Sequence, residues 1–169
     1  MDQQSIDYSM RVFDEIEEAI RPIGLAMKRL DLAQTGGIPT GVIVAKKRNG
    51  NFWEISCNVL PVNTGDISTT YIQLYVQLTD PAPDRREEVS RYVRGCNEKF
   101  LLGTLLTFRD CVCMKYTLAL DALYPLEEHH FQNTIFAFCQ QAEQYAALGE
   151  PVCGGTMSAE DALTSIQIQ

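Results

Sequence analysis

One segment constrains the fold more than any other: residues 84–149 have the pattern of a helix, a β-hairpin and a second helix. Asp84 and Glu87 have the spacing of a capping box at the start of the first helix. Apolar residues then recur at helical spacing as far as Phe100, and Gly103 is expected to end the helix. The segment therefore predicts mixed α and β structure.

The remainder of this segment reads as a hairpin and a closing helix. Thr104–Phe108 and Cys111–Leu120 have β-type composition, and the dipeptide Arg109-Asp110 separates them. A second amphipathic helix is predicted to begin near Pro125 and to be terminated by Gly149 and Pro151.

The N-terminal half supplies one more helix and three strands. Apolar residues from Ile6 to Ile20 share one helical face, whereas residues 25–40 fit either a helical turn or a strand. A short β-branched run at 42–45 and the turn signal Asn49-Gly50 come next. Two stretches then alternate strictly between apolar and other residues, 52–59 and 71–78, with a loop predicted at Pro61–Ser68.

These elements predict the order α-β-β-β-α-β-β-α and an α+β fold, with an antiparallel sheet covered by helices on one face. Residues 1–150 are expected to form a single domain, and 151–169, beginning at Pro151, a mobile tail with room for one short helix. The residues predicted to be buried beneath the helices are Trp53, Ile55, Ile72, Leu74, Val76 and Leu118.

Composition and charge narrow the classes of partner. A formal net charge of -8 disfavours nucleic acid and anionic membrane surfaces, both of which need clustered Lys and Arg. The longest apolar runs are far short of the ~20 residues of a membrane-spanning helix, and the polar, acidic start does not resemble a signal peptide. We therefore expect a cytoplasmic protein with reduced thiols, and neither a cofactor nor a small-molecule substrate is indicated.

The order of elements and several short motifs resemble the bacterial YbjN family, whose fold is similar to that of type III secretion chaperones. The motifs are Arg91-Tyr92-Val93-Arg94-Gly95-Cys96-Asn97, Phe100-Leu101-Leu102-Gly103-Thr104-Leu105, Tyr116-Thr117-Leu118-Ala119-Leu120-Asp121 and the 131–147 helix. By pattern the resemblance covers about two thirds of the chain. Asn97 is its sharpest polar position, at the turn that leads from a helix into the hairpin.

The resemblance implies a non-catalytic, chaperone-like protein that binds other proteins, either a client segment or a second copy as a homodimer. Secretion chaperones are similar in being small, acidic, cytoplasmic and dimeric, and they hold partner segments extended along their surface. The acidic charge and the length of this chain agree with that description.

An enzyme is the alternative interpretation. Cys111 and Cys113 lie on one face of a strand, and His129 and His130 open a nearby helix, so a cysteine- or metal-dependent hydrolase is conceivable. Zinc ligands commonly come as cysteine pairs separated by two to four residues, and Cys-x-Cys is tighter than that. The sequence around these residues, and around Cys153, matches no catalytic motif, so we expect no enzyme and no metal site.

Aromatic residues on the strands provide the interface prediction. Phe52, Tyr71 and Tyr75 alternate with core residues, and therefore should lie on the sheet face that the helices leave uncovered. Gln73 and Gln77 share the periodicity of the two tyrosines. Tyrosine and glutamine together suit a protein interface, because they offer apolar area and hydrogen bonds. The alternative is that these residues reflect strand propensity alone.

Overall fold

The structure is a computed structural model that describes residues 3–64, 67–99, 102–121 and 126–166. The helices of the described residues are α1 (Gln3–Ile20), α2 (Arg86–Lys99), α3 (Glu128–Cys153) and α4 (Ala159–Ser165). The strands are β1 (Ala26–Arg29), β2 (Thr40–Lys46), β3 (Phe52–Thr64), β4 (Ile67–Gln77), β5 (Thr104–Phe108) and β6 (Cys111–Asp121).

The strands form one antiparallel sheet in the order β1-β2-β3-β4-β6-β5, and helices pack against it. The predicted α+β class is therefore confirmed. Among the described residues, no helix is both long and apolar enough to cross a lipid bilayer.

The chain divides into two compact units. Unit 1 comprises Met1–Leu74 and Thr117–Ala137, and unit 2 comprises Tyr75–Tyr116 and Phe138–Gln169. Strands β4 and β6 and helix α3 each contribute residues to both units.

In unit 1 the alternation predicted from the sequence is present in the sheet. Trp53, Ile55, Ile72 and Leu74 are buried, as predicted, while their strand neighbours are half-buried or exposed. Helix α1 covers the buried face, and the ring of its Phe13 lies against the backbone at Gly41 of β2. Burying this face provides the main stabilisation of the unit, because burial of apolar area contributes about 25 cal/mol per Å².

Val76 of unit 2 is also buried, but the prediction for Leu118 is wrong. Leu118 is only half-buried, as are Tyr116 and Leu120 beside it. Burial along β6 is concentrated at its beginning, where both faces of the strand are covered and Val112 and Met114 have almost no exposure. The alternation in the sequence shows which residues share a face of the strand, but not at which residue burial of that face ends.

In the N-terminal half the structure decides one open alternative and corrects one prediction. Residues 25–40, for which the sequence allowed a helical turn or a strand, include a fourth N-terminal strand: Ala26–Arg29 pairs with Gly41–Val44 of β2. The predicted loop Pro61–Ser68 is mostly strand, since β3 continues to Thr64 and β4 begins at Ile67. Proline is compatible with a strand wherever its nitrogen is not needed for pairing, so Pro61 does not end β3.

The predicted boundaries of two helices were also wrong. Asp84 does not cap α2, because Pro83–Arg85 forms a 3-10 turn and the α-helix begins at Arg86. Helix α3 is not terminated by Gly149 and Pro151 but continues to Cys153, with Pro151 inside the helix. A Cβ atom at Gly149 would lie 3.2 Å from the Thr79 side chain, so this glycine serves close packing rather than helix termination. Phe100, the last residue of the apolar pattern in α2, and Pro125, near which α3 is predicted to begin, lie outside the described residues.

The segment predicted as a tail contains the last residues of α3 and the short helix α4. Ser158 caps α4 by accepting a hydrogen bond from the Asp161 backbone N–H at 3.1 Å. Lys99 of α2 donates to the carbonyl oxygen of Leu163 at 2.5 Å, and the Glu88 carboxylate accepts from the Ala159 N–H at 3.0 Å. The short helix that the prediction allowed is therefore present, and α2 holds it at both ends.

Candidate protein-binding surfaces

The face of the sheet opposite the core in unit 1, which we call the outer face, bears a small apolar group. The register pairs Val44 with Glu54 and Lys46 with Phe52, so these four side chains share the outer face. Val42 lies two residues before Val44 on the same face. Val44, Val42 and Phe52 thus form an apolar stripe between charged neighbours.

Phe52 is the most exposed large apolar side chain of this stripe. Its exposed fraction is 60%, and that of Val44 is 39%. A single exposed apolar residue is ordinary, but two neighbouring ones on an uncovered sheet face keep contiguous apolar area in water. Covering such an area with another protein is favourable, and the stripe is therefore the leading candidate surface in unit 1.

The structure does not bring Phe52 and Tyr71 together. Phe52 is the first residue of β3. Tyr71 lies in the first half of β4, which runs antiparallel to β3 and therefore places Tyr71 beside the second half of β3. At ~3.4 Å per residue the two side chains are about 25 Å apart along the sheet. Tyr71 and Gln73 are half-buried. The two aromatic residues therefore belong to different places on the outer face.

Tyr75 belongs to unit 2 and packs within an aromatic cluster. Its ring contacts Phe108 of β5 edge to face, with 6.4 Å between the ring centroids and an interplanar angle of 88°. The guanidinium of Arg109 lies 5.2 Å from the centroid of the Phe108 ring. Tyr75 is half-buried by these contacts, so it is a structural residue rather than a freely exposed one.

The Tyr75 hydroxyl has an unusual environment. Its oxygen is enclosed beside the Cys113 thiol and has no hydrogen-bond partner of ordinary geometry within the described chain. Burial, followed by the neighbouring thiol, raises the pKa of Tyr75 above its ordinary value. An enclosed, unpaired hydroxyl costs stability, because its bonds to water are lost without replacement.

Gln77 is exposed, but its side chain is engaged locally. The Nε2 amide donates a hydrogen bond to the carbonyl oxygen of Thr79 at 2.9 Å. This bond fixes the chain as it leaves β4. Gln77 therefore has a structural role that the sequence pattern did not indicate.

Phe108 is an exposed aromatic residue that was not among the predicted interface residues. Its exposed fraction is 51%, and it lies opposite Cys111 at the hairpin end of β5. Its exposure was predictable from strand alternation, because Phe108 lies on the face of β5 opposite to that of the buried Leu105.

The hairpin turn itself is firmly held. Arg109 and Asp110 both have positive φ angles, 50° and 62°, as a two-residue hairpin turn requires. Arg86 of α2 donates two hydrogen bonds to the Asp110 carboxylate, at 2.7 and 3.1 Å. These bonds lower the pKa of Asp110, and the backbone N–H of Ala82 donates to the Asp110 carbonyl at 2.8 Å.

Asn97, the sharpest position of the family resemblance, joins α2 to β5. Its side-chain amide donates to the carbonyl oxygen of Leu105 at 2.9 Å and accepts from the N–H of the same residue at 2.8 Å. One amide side chain thereby satisfies both backbone groups of a strand residue.

The residues of the hydrolase alternative are poorly placed for its chemistry. Cys111 and Cys113 are buried, and burial is the main cause that raises the pKa of each thiol, which opposes formation of a nucleophilic thiolate. His129 and His130 are exposed at the start of α3. Cys153 is half-buried, with its thiol 3.4 Å from the Thr79 hydroxyl. Within the parts of the chain that the structure describes, no three His, Cys, Asp or Glu side chains form a group able to hold a metal ion.

In comparisons with known proteins, no family model matches the chain and no curated protein shows significant similarity to it.

Proposed function

We propose that this chain is a non-catalytic, chaperone-like domain that binds another protein, either a client segment or a second copy of itself, on the outer face of unit 1. The observation that carries the proposal is that the exposed Phe52 and the exposed Val44 are diagonal neighbours on the outer face, on the adjacent strands β3 and β2. In this proposal the chain is related to the YbjN family and the secretion chaperones, and acts in the cytoplasm.

The character of the surface supports binding rather than catalysis. Lys28 and Lys46 lie beside the apolar stripe and Glu54 lies across from Val44, so an apolar centre has a charged surround. This is the usual anatomy of a protein interface, where the centre is desolvated and the rim stays wet. Aromatic residues at such a centre contribute a large share of binding energy.

The size of the face indicates weak and exchangeable binding. Four strands spaced by ~4.8 Å and about seven residues long cover roughly 450 Å² in projection. A stable complex of standard size buries about 800 Å² on each partner. We therefore expect a partner that binds reversibly, as a chaperone's client must.

The test compares Phe52→Ser with Phe136→Ser. Both residues belong to unit 1 and are similarly exposed, at 60% and 55%, but Phe136 lies on helix α3 rather than on the sheet. Mass by light scattering over a wide concentration range measures self-association, and quantitative affinity capture measures client binding. We expect Phe52→Ser to weaken one of these activities at least tenfold, while Phe136→Ser behaves as wild type. Equal behaviour of the two variants would show that the outer face is not the binding surface.

A further inference from the structure

The charges on the outer face of unit 1 have the opposite balance to those of the chain as a whole. The chain has 22 acidic and 14 basic residues, which gives a formal net charge of -8. On strands β1–β3, however, the charged side chains that share the face of Val42, Val44 and Phe52 are two lysines and one glutamate. This face is therefore locally cationic on a strongly acidic protein.

The two lysines lie at opposite ends of the apolar stripe. Lys28 is opposite Val42 on the neighbouring strand β1, whereas Lys46 is opposite Phe52, four residues after Val42 along β2. At ~3.4 Å per residue and ~4.8 Å between strands, the two lysines are about 14 Å apart, and Val44 lies between them. A segment that covers the stripe therefore brings its own flanking residues close to both ammonium groups.

Both ammonium groups are available to a partner. Lys28 and Lys46 are exposed, and neither forms an ion pair with a carboxylate of the described residues. Arg29, which alternation directs to the opposite face of β1, pairs with Asp14 and Glu17 of α1 at 2.6 and 2.9 Å. These carboxylates of α1 are thus engaged on the core side of the sheet and do not neutralise the two lysines.

We propose that the partner of the outer face is an acidic peptide segment, with apolar residues at its centre and Asp or Glu on both sides. This inference rests on the function proposed above and specifies the chemistry of the partner. The apolar residues cover Phe52 and Val44, and the flanking carboxylates meet Lys28 and Lys46. Glu54, across from Val44, repels a carboxylate at the centre and confines the acidic residues to the flanks.

A phosphate polymer matches this face less well than an acidic peptide does. Within the run Lys46-Lys47-Arg48, the Lys47 ammonium lies 3.7 Å from the centroid of the Trp53 ring, which is buried on the opposite face. The outer face thus has separated cations with a carboxylate between them, rather than the clustered Lys and Arg that nucleic acid and anionic membranes require.

The test uses three labelled peptides that share the apolar centre Leu-Val-Phe-Leu and are flanked on each side by two aspartates, two asparagines or two lysines. Fluorescence anisotropy measures their binding to the full-length chain. At ~0.1 M salt, where only nearby charges act, we expect the aspartate peptide to bind about fivefold more tightly than the lysine peptide. The difference should nearly vanish at ~1 M salt because exposed charges are screened. The net charge of the chain would favour the lysine peptide, so it cannot produce this preference.

Charge variants locate the preference on the outer face. The double variant Lys28→Glu/Lys46→Glu should bind the lysine peptide more tightly than the aspartate peptide. For the aspartate peptide, Lys46→Gln should weaken binding and Glu54→Gln should strengthen it, each about twofold. Arg21→Gln is the matched control, because Arg21 is an exposed cation of unit 1 outside the strands, and it should bind as wild type.

The outcomes separate this inference from the proposed function. Equal binding of the three peptides, lost in Phe52→Ser, would overturn the acidic partner and leave the binding function standing. Peptide binding that Phe52→Ser does not change would instead refute the binding function proposed for the outer face. Preference of the wild type for the lysine peptide, no binding of any peptide, or tighter binding of a single-stranded oligonucleotide or an anionic vesicle would also overturn the inference.

Discussion

Tyr75 gives the sharpest stability prediction, because its ring and its hydroxyl should act in opposite directions. The hydroxyl oxygen is enclosed beside the Cys113 thiol, without a hydrogen bond of ordinary geometry within the described residues, and a buried unpaired polar group costs ~1–3 kcal/mol. Tyr75→Phe removes that group and keeps the ring against Phe108. We expect the free energy of unfolding to rise by about 1 kcal/mol.

Tyr75→Ser should have the opposite effect. Removing a fully buried aromatic ring costs ~3–5 kcal/mol, and an aromatic pair adds ~0.5–1.5 kcal/mol. Tyr75 is only half-buried, so we expect a loss of about 2–3 kcal/mol. For a chain of this length each kcal/mol corresponds to roughly 2–4 °C in Tm, which gives a decrease of about 4–12 °C.

Urea unfolding at neutral pH, followed by circular dichroism, measures both changes, with Tyr71→Phe as the control on the same strand. We expect unchanged m values and a control within about 0.5 kcal/mol of wild type. A Tyr75→Phe variant clearly less stable than wild type would mean that the hydroxyl forms a stabilising bond. A Tyr75→Ser variant as stable as wild type would mean that the ring contributes nothing to packing.

Two further predictions concern the packing and the hairpin turn of unit 2. Gly149→Ala should lower the free energy of unfolding by about 1 kcal/mol in urea titration, because the new methyl group would lie 3.3 Å from the buried Tyr92 ring and outweigh the gain in helix propensity. The hydrogen bonds from Arg86 lower the pKa of Asp110, so the pair stabilises the fold above the ordinary carboxyl pKa and loses its effect as pH falls through the lowered value. Stability measured against pH should therefore fall less steeply at acid pH in Arg86→Ala than in wild type.

Local patterns predicted most of the fold. The alternation from Trp53 to Val59 and from Tyr71 to Leu78 identified the sheet and its buried face, because strand periodicity depends only on neighbouring residues. The β5–β6 hairpin followed from two β-type segments around a dipeptide turn. The sequence left strand β1 open between a strand and a helical turn, because it has only four residues and its identity depends on pairing with β2 beyond a long connection.

Gly149 shows why some residues have two valid interpretations in a sequence. A glycine late in a helical pattern either ends the helix or allows a close approach, and only the distant Thr79 and Tyr92 decide between them. The end of α3 had its own signal in Gly154-Gly155, where Gly155 has a φ of 74° and donates to the Val152 carbonyl. The prediction used Gly149 because it comes earlier in the sequence, whereas the helix ends beside Gly154-Gly155.

The candidate binding surface was harder to predict than the fold, for a physical reason. A catalytic site needs particular residue types in a particular geometry, and these leave a motif; a binding face needs only apolar side chains that remain uncovered. Phe52 and Trp53 are adjacent aromatic residues, yet one is 60% exposed and the other 3%. Strand alternation separates the two, but which face remains uncovered depends on where α1 packs. The distance between Phe52 and Tyr71 was nevertheless readable, because residues that meet across a hairpin must be equally far from its turn. Counting outward from the β3–β4 turn separates these two aromatic residues, and Phe52 with its neighbour Val44 is the part of the predicted surface that remains.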